Sequence, residues 1–250
     1  MPRIRPIALA ALLCLWAGLA GAAIGTPTQL GVGTATNGNI SITTGADAPP
    51  GSLIIVVASA TNTHALSGVA DNAGNCASAY SAAANSTQSG AVTLGVYYCL
   101  TTIDLPSGGV ISVTLNSSHN MSATAFAVTT GIAASPLDKS GTIQTATSGT
   151  SATSTSTGAL SQAVEIVVGV LALDGGTSGG FTPGGSFSSI GGELANSKGA
   201  YVAYQIVNST SSVAWAPSWS GSTDWQSSVY SFKGAAASAT KDNLLLGIGF

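Results

Sequence analysis

Two runs of this chain, Ser52 to Ala60 (SLIIVVASA) and Val164 to Leu173 (VEIVVGVLAL), are apolar at nearly every position and rich in β-branched residues. A strand with one wet face alternates apolar and polar side chains, whereas a strand covered on both faces need not. Val and Ile favour extended backbone, and Gly169 argues against a helix through the second run. The chain therefore needs two central strands buried on both faces. Around them, alternating segments read as strands with one wet face: Ile40 to Thr44, Val92 to Leu100, Val110 to Asn116, Ser122 to Thr130, Tyr201 to Asn208 and Trp225 to Lys233. Turn chemistry separates them at Asp47 to Gly51, Asp71 to Asn75, Pro106 to Gly109, Asp174 to Gly176 and Pro183 to Gly185. No amphipathic helical pattern of useful length is present, although the Ala-rich stretch Cys76 to Ala84 has the composition of a helical turn. Ser148 to Gly158 is a low-complexity Ser/Thr run, read as a long loop or a weak edge strand. The expected fold is all-β: a single antiparallel β-sandwich, jelly-roll-like, over residues 23–234.

Charge narrows the function classes. Six Lys/Arg and nine Asp/Glu in 250 residues make 6% charged, against about 25% in ordinary globular chains. A mean hydropathy of +0.42 rules out a solvated disordered polymer. Ser, Thr, Ala and Gly take the place of ions, so the expected strands carry hydroxyls on their outer faces. Beyond residue 22, four lysines (Lys139, Lys198, Lys233, Lys241) face nine acids, a formal charge of −5. Such a chain offers no electrostatic footprint for nucleic acid.

Residues 1–22 read as a secretory signal peptide. Arg3 and Arg5 supply the positive end, Ile7 to Leu19 the apolar stretch, and Ala20-Gly21-Ala22 the cleavage pattern. The expected location is secreted or cell-surface, with the periplasm as the alternative. Cleavage removes Cys14 and leaves Cys76 and Cys99, which read as one disulfide of an oxidising compartment. Placed opposite each other on an antiparallel hairpin, they set Tyr80 against Gly95 and Ser78 against Tyr97, with Asn85 to Gly90 as the loop. Ala235 to Thr240 is linker-like, and Leu244, Leu246, Ile248 and Phe250 alternate as a strand would. Residues 235–250 are expected to form an apolar tail, docked on its own sandwich or on another molecule.

At this point the residues carry a resemblance. Asp71-Asn72-Ala73-Gly74-Asn75 after an apolar strand, then Ser135-Pro136-Leu137-Asp138, then Asp224-Trp225 closing on Ser231-Phe232-Lys233, together resemble a β-sandwich domain of secreted bacterial surface proteins and phage structural proteins. The resemblance spans residues 28–233. It implies the sandwich fold and carries over no catalytic residue and no settled activity.

Few constellations could carry chemistry. Gly176-Thr177-Ser178-Gly179-Gly180 matches G-x-S-x-G, but no helix can follow through Pro183-Gly184-Gly185, and both histidines precede Ser178. His64 and His119, with Asp71 or Asp174, have the donor types of a metal site, yet nothing in their spacing brings them together. No pair of acids can be chosen for a glycosidase. Asp71 to Asn75 is the better metal candidate, a turn whose oxygens suit a structural Ca²⁺. Trp215 and Trp219, four apart beside Pro217, would project to one face of an extended strand. Exposed, they form a platform for a glycan or cell-surface polymer; buried, they are core. Four sequons, at Asn85, Asn116, Asn120 and Asn208, matter only in a eukaryotic host.

The expected function is a secreted, non-catalytic sandwich with a surface structural or binding role. One alternative is a fimbrial-type, self-assembling subunit, for which Gly31 to Ser41 is the donor-strand candidate. The other is an outer-membrane barrel, suggested by the C-terminal alternation and opposed by only 6% aromatics.

Overall fold

The computed structural model describes residues 23–61, 64–76, 80–87, 92–152, 156–175, 180–195 and 198–236. The expected signal peptide, Ser178, most of the tail and Ser78 lie outside them. The described residues form fourteen strands and no helix. All strand pairs are antiparallel, and none of the three sheets closes into a barrel.

The middle sheet contains β1 (Thr28–Ala35), β3 (Leu53–Thr61), β5 (Ser81–Thr87), β6 (Val92–Leu100) and β8 (Met121–Val128), in the order β1-β8-β3-β6-β5. A small sheet of β2 (Ile40–Thr43), β7 (Val110–Leu115) and β4 (Leu66–Asp71) covers one face. The outer sheet covers the other, in the order β10-β14-β11-β13-β12, with β9 also on β14. Its strands are β9 (Ile132–Ser140), β10 (Gln144–Ala146), β11 (Val164–Asp174), β12 (Ser188–Ala195), β13 (Lys198–Asn208) and β14 (Asp224–Gly234). The all-β sandwich expectation stands, built from three stacked sheets.

Stacking explains the two continuously apolar runs, which are the central strands β3 and β11. Ile54, Val56, Ala58 and Ala60 of β3 pack on the small sheet, while Leu53, Ile55 and Val57 meet the outer one. In β11, Ile166, Val168, Val170 and Ala172 face the middle sheet, whereas Val167, Leu171 and Leu173 enter a third core on the far side. Among the described residues no sheet lies above that core. Its cover is irregular chain at 149–152 and 156–160 lying against 210–223, tied by Ala152 N–H to Pro217 O (3.0 Å), Thr157 N–H to Val213 O (2.9 Å) and Leu160 N–H to Thr210 O (2.9 Å). The described parts of the low-complexity Ser/Thr run, 148–152 and 156–158, are thus irregular chain, as the loop reading expects, with one isolated bridge (Ser151↔Ser218), and they pack as a fourth layer.

Three expectations need correction here. Segments read as half-wet, β6, β8 and β14, are buried on both faces almost throughout. Their small polar residues are interior, and several join one layer to the next. Ser59 donates to Leu173 O (3.3 Å), Ser122 to Lys198 O (2.8 Å), Thr124 to Ala200 O (3.0 Å) and Gln226 to Val92 O (2.7 Å). Ser81 to Ala84, in the suggested helical turn, belongs to strand β5.

The Cys76–Cys99 disulfide is present, with Cα atoms 6.2 Å apart, but its hairpin register differs from expectation. Asn85, not Tyr80, pairs with Gly95, and Ala82 pairs with Tyr97. Asn85, Ser86 and Thr87 are strand residues instead of loop. Cys76 precedes the strand, and a bulge between Ala82 and Ala84 shifts the ladder. Gly31 to Ser41 is no spare donor strand either. Residues 28–35 are β1, paired along their own β8 from Thr28↔Ala127 to Ala35↔Met121, and Ile40 and Ser41 belong to β2.

Candidate functional site

Trp215 is fully buried and Trp219 is 5% exposed. The expected glycan platform is therefore overturned: both rings belong to the third core, with Phe187, Trp225, Val229 and Leu171. Trp215 lies directly on Gly169 of β11, where an added Cβ would come within 2.2 Å of the indole. Its Nε1 donates to Pro183 O at 2.6 Å. Trp219 meets Trp225 edge-on, with ring centroids 6.1 Å apart. An irregular segment has no sheet periodicity to hold it down, so large rings anchor it.

The Asp71 turn is equally committed to the framework. Asp71 Oδ1 accepts from Ala73 N (3.0 Å), Asn75 N (3.2 Å) and Asn75 Nδ2 (3.4 Å), and Oδ2 accepts from Tyr80 OH (3.0 Å). Asn75 Oδ1 and its carbonyl accept from Ile103 N and Thr102 Oγ1, and Asn72 Oδ1 accepts from Val110 N. Oxygens read as Ca²⁺ ligands are already hydrogen-bonded, and an ion there would have to displace those donors. Burial, then the charge and hydrogen bond of Asp71, raise the Tyr80 hydroxyl well above its ordinary pKa. It stays a neutral donor to the carboxylate.

The histidines hold a surprise for the sequence reading. His64 and His119 stack, with centroids 3.8 Å apart and an interplanar angle of 17°. A 2.7 Å hydrogen bond joins His64 Nδ1 and Ser117 Oγ. Pairing of β4 with β7 (Leu66↔Leu115) is what brings these loops together. Asp71 and Asp174 are engaged elsewhere, and among the described residues no three His, Cys, Asp or Glu gather as metal ligands. Near-parallel rings also direct their nitrogen lone pairs side by side instead of at a shared ion.

Asp138 and Glu165 form a carboxyl pair that carries no signal in the sequence. Glu165, on the outer face of β11, is fully buried. Its neighbour Asp138 accepts from Ser161 N (2.9 Å) and Ser161 Oγ (2.6 Å). Burial pushes the Glu165 carboxyl up, against the pull of nearby Ser231 and with a further push from Asp138. For Asp138 burial also raises the pKa, but the Ser161 donors outweigh it and hold the carboxyl low.

An open cleft of about 420 Å³ lies at the end of the outer sheet where β11 finishes and β14 starts. Thr147, Ser148, Asp174, Gly175, Ser222, Thr223 and Asp224 line it. Asp174 stands directly opposite Asp224 on one flank and Lys198 on the other. Lys198, almost wholly buried, pairs with the Asp174 carboxylate. Asp224 has no hydrogen bond or ion pair among the described residues, and the buried Thr223 hydroxyl has no partner there either. The sequence marks Asp174 as turn punctuation and as a donor type for a histidine metal site, not as part of this cluster. Its neighbours Asp224 and Lys198 follow from strand pairing, which no local signal announces.

Compared with family models, with curated proteins and with solved structures, the chain finds no match.

Proposed function

We propose that this protein is an exported, non-catalytic β-sandwich module with a structural or binding role at the cell surface or in the surrounding medium. One observation carries the reading: side chains that could have done surface chemistry are committed to the framework. Trp215 and Trp219 hold down the outer layer, Asp71 caps its own turn, Asp138 holds Ser161, and Asp174 holds Lys198. The Cys76–Cys99 bridge supports export, because disulfides persist in oxidising compartments. The resemblance to secreted bacterial and phage sandwich domains agrees with it. The fimbrial alternative loses its donor-strand candidate to β1 and β2. Three open sheets give the barrel alternative no support.

The test is fractionation of the native host, followed by non-reducing peptide mapping and fluorophosphonate labelling. The reading expects the protein in the envelope or the medium, with Cys76 and Cys99 linked and Ser178 unlabelled. A cytosolic pool with free thiols would overturn export. Labelling lost in Ser178→Ala would overturn the non-catalytic role.

A further inference from the structure

We propose that the cleft at the end of the outer sheet binds a hard divalent cation, and that calcium suits it best. Antiparallel register fixes Asp174 and Asp224 as direct cross-strand neighbours. Like charges in that position destabilise a sheet unless something offsets them. Lys198 offsets only one: it stands opposite Asp174 on the far flank and pairs with it. Asp224, half-buried at the start of β14, is left without a donor or cation among the described residues.

The Thr223 hydroxyl is the independent sign of a ligand. Thr223 is 9% exposed, lines the cleft, and its Oγ1 has no hydrogen-bond partner among the described residues. A buried hydroxyl without a partner costs free energy that a bound ligand would recover. This oxygen lies against Gly175, another cleft residue, where an added Cβ would come within 2.9 Å of it. Gly175 also has φ +100°, so the chain leaves β11 in a conformation that favours glycine and keeps this approach open.

The donor set is oxygen alone: the carboxylates of Asp224 and Asp174, the Thr223 hydroxyl, and the hydroxyls of Thr147, Ser148 and Ser222 on the wall. Neither His nor Cys lines the cleft, so soft or borderline metals have no preferred ligand there. Calcium accepts irregular sets of six to eight oxygens, whereas magnesium demands a tight octahedron. With one carboxylate shared with Lys198, affinity belongs in the weak range of extracellular modules, a Kd of about 10⁻⁴–10⁻³ M. The inference stands on the cleft and not on the export reading, because the purified protein alone can test it.

Chelator-treated protein is titrated with CaCl₂ while Tm is followed, and with Tb³⁺ while luminescence is excited through tryptophan. Trp225, next in the chain after Asp224, is the expected sensitiser. The proposal expects a saturable rise in Tm, a smaller response to MgCl₂ and Tb³⁺ emission that CaCl₂ displaces. Asp224→Asn should abolish both signals, Thr223→Val should weaken Ca²⁺ binding several-fold, and the exposed-site control Asp104→Asn should change neither. Absence of a saturable Ca²⁺ response in the unmodified protein would overturn the proposal. So would a response that survives Asp224→Asn or is unaffected by Thr223→Val, since that marks ions bound elsewhere.

Discussion

Gly169 and Trp215 fit each other because one has no side chain and the other has the largest. The same logic recurs where Gly95 of β6 receives Leu66, whose Cδ1 would lie 1.8 Å from an added Cβ. Small residues in this chain are sites where a neighbouring layer comes close, and hydroxyls among them bond across the gap. Glu165 is the exception, a full-length acid buried on a sheet face, with Oε2 unpartnered among the described residues. Its folded pKa is raised, so the folded state holds its proton more tightly than the unfolded chain. Its contribution to stability is therefore lost as pH rises from the usual Glu value through the raised one. Asp138, held low, has the opposite sign: its stabilisation is present above the usual Asp value and is lost as pH falls through the lowered one. Glu165→Gln should stabilise the protein at pH 7 by about 1 kcal/mol, the scale of one desolvated polar group. Thermal melts should show the gain at pH 7 shrinking towards pH 4. A lower Tm than the unmodified protein at pH 7 would show that the charged form is needed.

At the scale of elements, the sandwich domain is expected to close at β14. Gly234 pairs with Ile132, and Ala235 N–H donates to Gly131 O at 2.8 Å. Deleting 237–250 is expected to leave Tm within about 1–2 °C, because no described strand is lost, and a surface-scale change of about 0.5 kcal/mol moves Tm little. Analytical ultracentrifugation of the same variant reads whether the tail mediates self-association. A truncated chain that fails to fold would place a core strand beyond residue 236.

Strand visibility in the sequence followed burial. β3 and β11 are legible because their apolar residues run almost without interruption, and β2, β6, β7, β8, β13 and β14 because apolar residues recur at alternate positions. β1, β4 and β5 are legible only in part and β9, β10 and β12 not at all: TQLGVGTA, SAAANST and SSIGGELA are too rich in Gly, Ser and Ala for a propensity signal, and pairing holds them extended. The candidate site was less legible still. Stacking of His64 on His119 and the meeting of Asp174, Asp224 and Lys198 depend on which strands pair, and that information lies far apart in the chain.

For the whole molecule, the central claim is that an irregular segment, anchored by tryptophans, closes the third core as a fourth layer. This explains why β11 and β14 are buried on both faces, and why a chain with so few charges still covers its interior. It also decides between scaffold and binding platform. The direct measurement is chemical denaturation of Trp215→Ala, followed by far-UV circular dichroism. Trp215 fills the space over Gly169, and removing a buried Trp costs about 3–5 kcal/mol. The account predicts a large fall in the denaturation midpoint, or a chain that no longer folds at 37 °C. An unchanged midpoint would mean that the ring faces solvent, and the fourth layer would then not exist.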